Sequence, residues 1–287
     1  MKLFVRTGFV SLLLALFMVP AIAAYAATSP NLGMATAFGI LAGTYANAVS
    51  GTTINGDLGY TTGPAVAPTV SGTTHSPPSS KYSTAGTDQG SASANLNSQA
   101  CTFTFPPGAV DLATDTSHGT LGVYAPGVYC TAASSDASIG TAGITLTGAG
   151  AFIFKVNGAL TTVDNSAVRL AGGASACDVF WAPTAATTLG AVSTFVGTDI
   201  DASGITIGRA VTWSGRALAF GGTVSTDADT ITVPTCAATS SPTPTPAPAP
   251  AVPPTGAASG GLPWVSLACL ISGTVVISTV WVRRRRA

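Results

Sequence analysis

Apolar residues alternate with hydroxyl-bearing ones through the second half of the chain. Between Gly204 and Val233 the alternation runs Ile205-Thr206-Ile207, Val211-Thr212-Trp213-Ser214, Thr223-Val224-Ser225 and Thr230-Ile231-Thr232-Val233. A period of two is that of a half-buried strand, one side to a core and the other to water. From Ile144 onward such segments recur in rounds of three. Phe152-Ile153-Phe154, Val179-Phe180-Trp181, Asp199-Ile200-Asp201-Ala202 and Arg216-Ala217-Leu218-Ala219-Phe220 form a first set. Leu160-Thr161, Thr188-Leu189, Ile205-Thr206-Ile207 and Thr223-Val224-Ser225 form a second. Val168-Arg169-Leu170, Thr194-Phe195-Val196, Val211-Thr212-Trp213 and Ile231-Thr232-Val233 form a third. Three short strands per round, repeated at roughly 18 to 27 residues, predict a β-solenoid. The repeat is imperfect, which leaves a β-sandwich as the alternative.

The first set is apolar on consecutive residues, so it predicts strands covered on both sides. The cover is expected from Ser83 to Ala100, a proline-free segment in which Ala85, Ala92 and Leu96 form an apolar stripe. Gly86 and Gly90 lower its helix propensity. In the second set, placing Leu160, Leu189, Ile205, Ile207 and Val224 inward turns Thr161, Thr188, Thr206, Thr223 and Ser225 outward. The third set presents Thr145, Thr147, Thr212, Ser214, Thr230 and Thr232, but also Arg169. Near the N-terminus, Thr53 and Asn55 flank Ile54 and extend one or other of these faces.

Both ends of the chain read as something other than fold. Lys2 and Arg6 precede an apolar run from Phe9 to Val19 and a small-residue site at Ala24-Tyr25-Ala26, the pattern of a secretory signal peptide over 1–26. The run is shorter than the about 20 apolar residues that span a bilayer, which disfavours an uncut anchor. Residues 29–236 form one candidate domain. Residues 237–261 are rich in Pro, Thr and Ala and predict an extended stalk. Residues 262–282 are apolar and long enough to cross a membrane, and the basic tail 283–287 would hold that end in the cytoplasm. The stalk contains Val252-Pro253-Pro254-Thr255-Gly256, which resembles a Gram-positive cell-wall sorting signal with valine in place of leucine. It makes Thr255 and Gly256 the candidate sortase site; a retained membrane anchor is the other reading.

Charge narrows the partners. All eleven acids are aspartate, and the exported part keeps only Lys81, Lys155, Arg169, Arg209 and Arg216, for a net charge of about minus six. Nucleic acid is not expected, because it needs clustered Lys and Arg. Four cysteines fall in the exported domain, Cys101, Cys130, Cys177 and Cys236, and a fifth, Cys269, in the apolar segment. Four in an exported domain suggest two disulfides. Cys101–Cys130 and Cys177–Cys236 are the nearest pairs in sequence, among three possible pairings. Zinc is disfavoured, since no CxxC or clustered His accompanies them.

Seven stretches, in order, resemble the ice-binding-like β-solenoid family, the domain of unknown function 3494. They are "NLGMATAFGILAGT" (31–44), "TTINGDLG" (52–59), "PGVYC" (126–130), "FIFKVNGALTT" (152–162), "AVRLAGGASACDVFW" (167–181), "FVGTDIDASGITI" (195–207) and "GRALAF" (215–220). The resemblance implies an irregular triangular β-solenoid of right-handed type, all-β but for one α-helix packed along one face. It also implies adsorption to an ice crystal surface through one flat face. The chain departs from the family at Asp199 and Asp201, where apolar or small residues are usual.

Physical chemistry supports hydroxyls for that task. A stacked solenoid repeats at about 4.8 Å. Threonine offers a hydroxyl, a methyl and a β-branch that limits rotamers, so little entropy is lost on docking. Charged groups would hold their own hydration shells. The second set, free of charge, is therefore the expected ice-binding face: Thr161, Thr188, Thr206, Thr223 and Ser225, with Thr53 and Asn55. Threonine is also simply common on exposed strands.

Chemistry of other kinds is thin. His75 and His118 sit in loop-like stretches and read as surface residues. Asp199 and Asp201 share a strand face, whereas Asp227 and Asp229 read as solvated turn carboxylates. Paired carboxylates serve calcium or glycosidases, but no cluster of Asp with Lys or Arg suited to a polysaccharide lyase is present. No cofactor, metal or enzymatic activity is expected. The expected function is ice binding, whether as antifreeze, as recrystallisation inhibitor or as an adhesive to ice. A surface adhesin for glycans or another cell is the alternative.

Overall fold

The computed structural model describes residues 27–236. The expected leader, stalk with Thr255-Gly256, membrane segment and basic tail lie outside the described residues. Among those described, no helix is long and apolar enough to cross a membrane.

Parallel strands wind into a solenoid with three faces. The first face runs through Phe103–Thr104, Gly127–Cys130, Phe152–Val156 and Val179–Pro183. It continues through the later parts of Thr194–Ile200 and Thr212–Thr226. Next comes Phe38–Asn47, near the beginning of the chain, followed by Asp57–Gly59 and Thr74–His75. The earliest strands are therefore stacked on the latest ones.

Phe152, Phe154, Val179 and Trp181 point into the solenoid, whereas Ile153, Phe180, Ile200 and Leu218 point outward beneath a helix. That alternation explains why the sequence is apolar on consecutive residues. Inside, Tyr129, Phe154, Trp181, Phe195 and Trp213 form a continuous aromatic file, with successive centroids 5.3, 4.4, 5.1 and 5.1 Å apart. Such pairs contribute about 0.5–1.5 kcal/mol each beyond area burial, and they stiffen the stack.

The helix, Ser80–Ser98, starts three residues before the expected segment. Tyr82, Ala85, Gln89, Ala92 and Leu96 form its buried stripe. Gly86 does not interrupt it but permits close approach, since a Cβ there would lie 2.5 Å from the Phe220 ring. Polar contacts fix the helix lengthwise. The Tyr82 hydroxyl donates to the Ala42 carbonyl at 2.8 Å, and the Phe220 N–H donates to Gln89 Oε1 at 3.1 Å. At its C-terminal end, Lys155 Nζ donates to the carbonyls of Asn97 and Gln99 at 2.8 and 3.0 Å. A cation there also complements the helix dipole.

Two strand boundaries differ from expectation. Thr194–Ile200 and Thr212–Thr226 each run unbroken through segments read as separate strands. Gly197 and Gly215 explain the first corner. Gly197 has φ of 107°, and a Cβ on Gly215 would collide with the Gly197 carbonyl. The chain can bend there without a loop because nothing projects from either residue.

The disulfides are Cys101–Cys130 and Cys177–Cys236, with Cα atoms 5.9 and 5.6 Å apart. Both disulfides and both apolar clusters lie within 27–236. That segment is the described part of one compact unit.

Candidate functional site

The second face carries one long outward rank. Ser138 pairs with Thr161, Thr161 with Thr188, Thr188 with Thr206, and Thr206 with Ser225. Five hydroxyls thus stand side by side on successive coils, because Leu160, Leu189, Ile205 and Val224 beside them are buried. The rank ends at Asp111 on one side and Ala46 on the other. Its flanks are low around Thr188 and Thr206, where Ala186 and Gly204 precede and Gly190 and Gly208 follow; towards the ends Asp136 precedes Ser138, Val163 follows Thr161, and Thr223 and Asp227 bracket Ser225. The hydroxyls of Thr161, Thr188, Thr206 and Ser225 take no partner among the described residues, which leaves them to water. The rank itself is uncharged and its middle is unobstructed, so ordered water can build there, with Asp111, Asp136 and Asp227 at its margins.

Not every expected residue joins this rank. Thr223 lies two positions ahead of Ser225 and faces Thr44 instead. Thr53 and Asn55 lie on the third face, opposite Thr230 and Thr232. The reason is topological. The strand Thr53–Asn55 inserts beside the last strand, Thr230–Thr232, a pairing between segments 177 residues apart. Spacing along the chain carries no signal for it.

The third face also divides. Thr145, Thr147 and Arg169 belong to a separate three-stranded sheet with Val123–Tyr124. Arg169 donates to the Ala142 carbonyl there, at 3.2 Å. It does not interrupt the threonines at 212 and 230.

The corners joining the second and third faces are unusual. Asn165, Val192, Ala210 and Ala228 hold φ between 57° and 62° on successive coils. A carbonyl ladder fixes them, with Asn165 N–H donating to Ala191 at 2.9 Å, Val192 to Arg209 at 2.8 Å and Ala210 to Asp227 at 2.9 Å. Left-handed backbone is uncommon outside glycine and is strained for a β-branched residue.

Buried polar groups correct two sequence expectations. Asp229 is not a solvated turn residue: it is fully buried and accepts from the N–H groups of Val211 and Asp227, both at 2.7 Å. Burial pushes its carboxyl up to about 6. His118 is not on the surface. Its side chain is 2 % exposed, stacked on Tyr124 at 4.0 Å and bonded to Asp115 at 3.0 Å. Asp199 and Asp201 are both buried. Asp201 caps the turn, accepting from Thr187 and Ser203 N–H groups at 2.8 and 2.7 Å. Asp199 points into the solenoid between Trp181 and Ala217, with the buried Thr187 hydroxyl beside it and its oxygens otherwise without a hydrogen-bond partner. Burial, then the nearby Asp201, holds the Asp199 carboxyl well above the usual carboxylate range.

One cluster outlines a serine–histidine–aspartate order. Ser79 Oγ lies 3.5 Å from His75 Nδ1, and His75 Nε2 lies 3.3 Å from Asp57 Oδ2. Lys81 takes the same carboxylate oxygen at 2.6 Å. Burial alone would raise Asp57, but the Lys81 and Thr73 donors outweigh it and leave the carboxyl below its ordinary value. The group anchors the helix start to the coil beneath it. No grouping of His, Cys or acidic side chains suited to a metal occurs among the described residues.

A helix-clamped parallel solenoid with an uncharged hydroxyl rank is the class these features define. Residues 40–232 match the Ice-binding-like family, and the chain belongs to it. Solved structures agree. An ice-binding protein from the Antarctic ascomycete Antarctomyces psychrotrophicus is 27% identical, with TM-score 0.64 over 73% of this chain and 100% of that one. An ice-binding protein from an Antarctic biological consortium is 24% identical, with TM-score 0.63 over 72% and 92%. An antifreeze ice-binding protein from an Arctic yeast is 21% identical, with TM-score 0.63 over 73% and 96%. The last two likenesses are of fold. No curated protein matches the sequence.

Proposed function

We propose that the domain binds ice, without catalysis, through the rank Ser138, Thr161, Thr188, Thr206 and Ser225. The observation that carries this is the unbroken register of five uncharged hydroxyls, in a chain of the Ice-binding-like family. Neighbouring strands repeat at about 4.8 Å, so water held by one hydroxyl is positioned against water held by the next. Each contact is weak, but many bound waters act together. The aromatic file and the helix keep the sheet stiff, so little order remains to be created on docking.

The same reading extends to the ends of the chain. A leader over 1–26 exports the domain, the stalk 237–261 extends it from the envelope, and 262–282 anchors it unless a sortase acts at Thr255-Gly256. Held there, it adheres a cell to ice or restrains recrystallisation at its surface. The family and the solved neighbours lend no support to a glycan adhesin.

Thermal hysteresis and recrystallisation inhibition by residues 27–236 test the reading. The Thr206→Tyr variant, placing a ring in the middle of the rank, should lose most activity while keeping the wild-type melting temperature. A wild-type domain that leaves growing crystals unshaped would refute ice binding. A fully active, folded Thr206→Tyr variant would refute this face. Mass spectrometry of the mature C-terminus separates sortase linkage from a retained anchor: cleavage ends the chain at Thr255.

A further inference from the structure

The third face holds a second array that the chain assembles from widely separated segments. Thr194 pairs with Thr212, Thr212 with Thr230, Thr230 with Thr53, and Thr53 with Thr69. Five threonines therefore stand in one rank across five strands, over about 19 Å at the usual strand spacing. Two residues further along, roughly 6.6 Å away by strand rise, a second rank contains Ser214, Thr232 and Asn55. The two ranks contain no charged side chain. Beneath them Phe195, Trp213, Ile231 and Ile54 are buried, which fixes every hydroxyl outward.

Two observations separate this array from ordinary exposed threonine. The first is register across unrelated segments. Adjacent coils could inherit matched residues from a repeat, but Thr53 and Thr69 come from the start of the chain and meet Thr230 only through folding. The second is hydrogen bonding. On the helix, exposed hydroxyls of Ser83, Thr87 and Ser91 donate to backbone carbonyls one turn back. In the first rank of the array none does so; among the second, Asn55 Nδ2 donates to Thr232 Oγ1 at 3.1 Å, holding the rank together laterally.

Resting on the ice-binding reading above, we propose that this array is a second ice-binding surface, meeting the first along the Val192–Ala210–Ala228 corner. The domain then presents two differently oriented, two-dimensionally regular hydroxyl surfaces and engages ice crystal planes that the second face alone does not match. Its natural partner is the same solid, approached from another side.

Fluorescently labelled domain 27–236 adsorbed on a single-crystal ice hemisphere tests this, with thermal hysteresis measured in parallel. Thr230→Tyr, at the centre of the array, and Thr53→Tyr, on a distant segment, are compared with Thr206→Tyr and with the double variant Thr206→Tyr/Thr230→Tyr. The two array variants report independently, so one that fails to fold leaves the other decisive. The expected result is that each array variant loses a subset of the labelled planes and several-fold of the hysteresis. Thr206→Tyr loses a different subset, and the double variant binds none. Array variants with unchanged planes and hysteresis overturn the second surface while ice binding stands. Loss confined to the array variants, with Thr206→Tyr unaffected, confirms the array and moves the function wholly onto it. A wild-type domain that adsorbs to no plane overturns both.

Discussion

Replacing Asp199 by asparagine should change stability in a pH-dependent way, favouring the variant more and more over wild type as pH rises. Asp199 is enclosed by Trp181, Ala217 and the Asp201 turn, with only the Thr187 hydroxyl beside its oxygens. The folded state must therefore hold it protonated, while the unfolded chain ionises it at about 3.9. A folded-state value raised in this way gives stability that is fully present below the unfolded pKa and is lost as pH rises towards the folded one. Through that window the loss is about 1.4 kcal/mol per pH unit. Asparagine keeps the shape without the proton, but brings an amide whose unsatisfied donors cost about 1–3 kcal/mol. The variant is thus expected to gain stability relative to wild type steadily as pH rises above the unfolded-state pKa. Urea denaturation of oxidised residues 27–236 from pH 4.5 to 8 measures both proteins. A stability difference between the two proteins that does not change with pH refutes the reasoning, whatever its sign.

Other expectations follow from packing and backbone. Leu96→Ala, at the fully buried end of the helix stripe, should cost about 2–5 kcal/mol, read as a lower urea midpoint with the helix still formed by circular dichroism. Val192→Asn should stabilise by roughly 1 kcal/mol, because asparagine tolerates the left-handed backbone and Asn165 already occupies the equivalent corner one coil away; the melting temperature checks it. The double variant Cys177→Ser/Cys236→Ser opens a link spanning 59 residues and should lose about 2–4 kcal/mol, whereas reducing agent should leave that variant with only the Cys101–Cys130 contribution to lose.

Much of this architecture is legible in the sequence, for identifiable reasons. Burial parity is local, so Leu160, Leu189, Ile205 and Val224 declare which neighbours face water. The doubly apolar first set announces a cover, and the proline-free run with Ala85, Ala92 and Leu96 supplies one. What stays hidden is non-local. Thr53 meets Thr230 because the first strands close on the last coil, and no periodicity encodes that. Asp229 and His118 look like loop residues by neighbours in sequence, yet backbone donors from Val211 and Asp227, and the ring of Tyr124, enclose them. The corner at Gly197 and Gly215 hides too, since glycine in a strand pattern reads equally well as a break.

Closing the first strands onto the last coil also sets an order of assembly. Phe38–Asn47 has its main partner at Ile40–Asn47 only once residues 217–226 exist. A nascent or truncated chain lacking them displays Ile40, Leu41 and Ala42 on a naked strand edge, a target for proteases and for other sticky edges. Completeness of synthesis is thereby written into the shape: a shortened product cannot bury its own beginning.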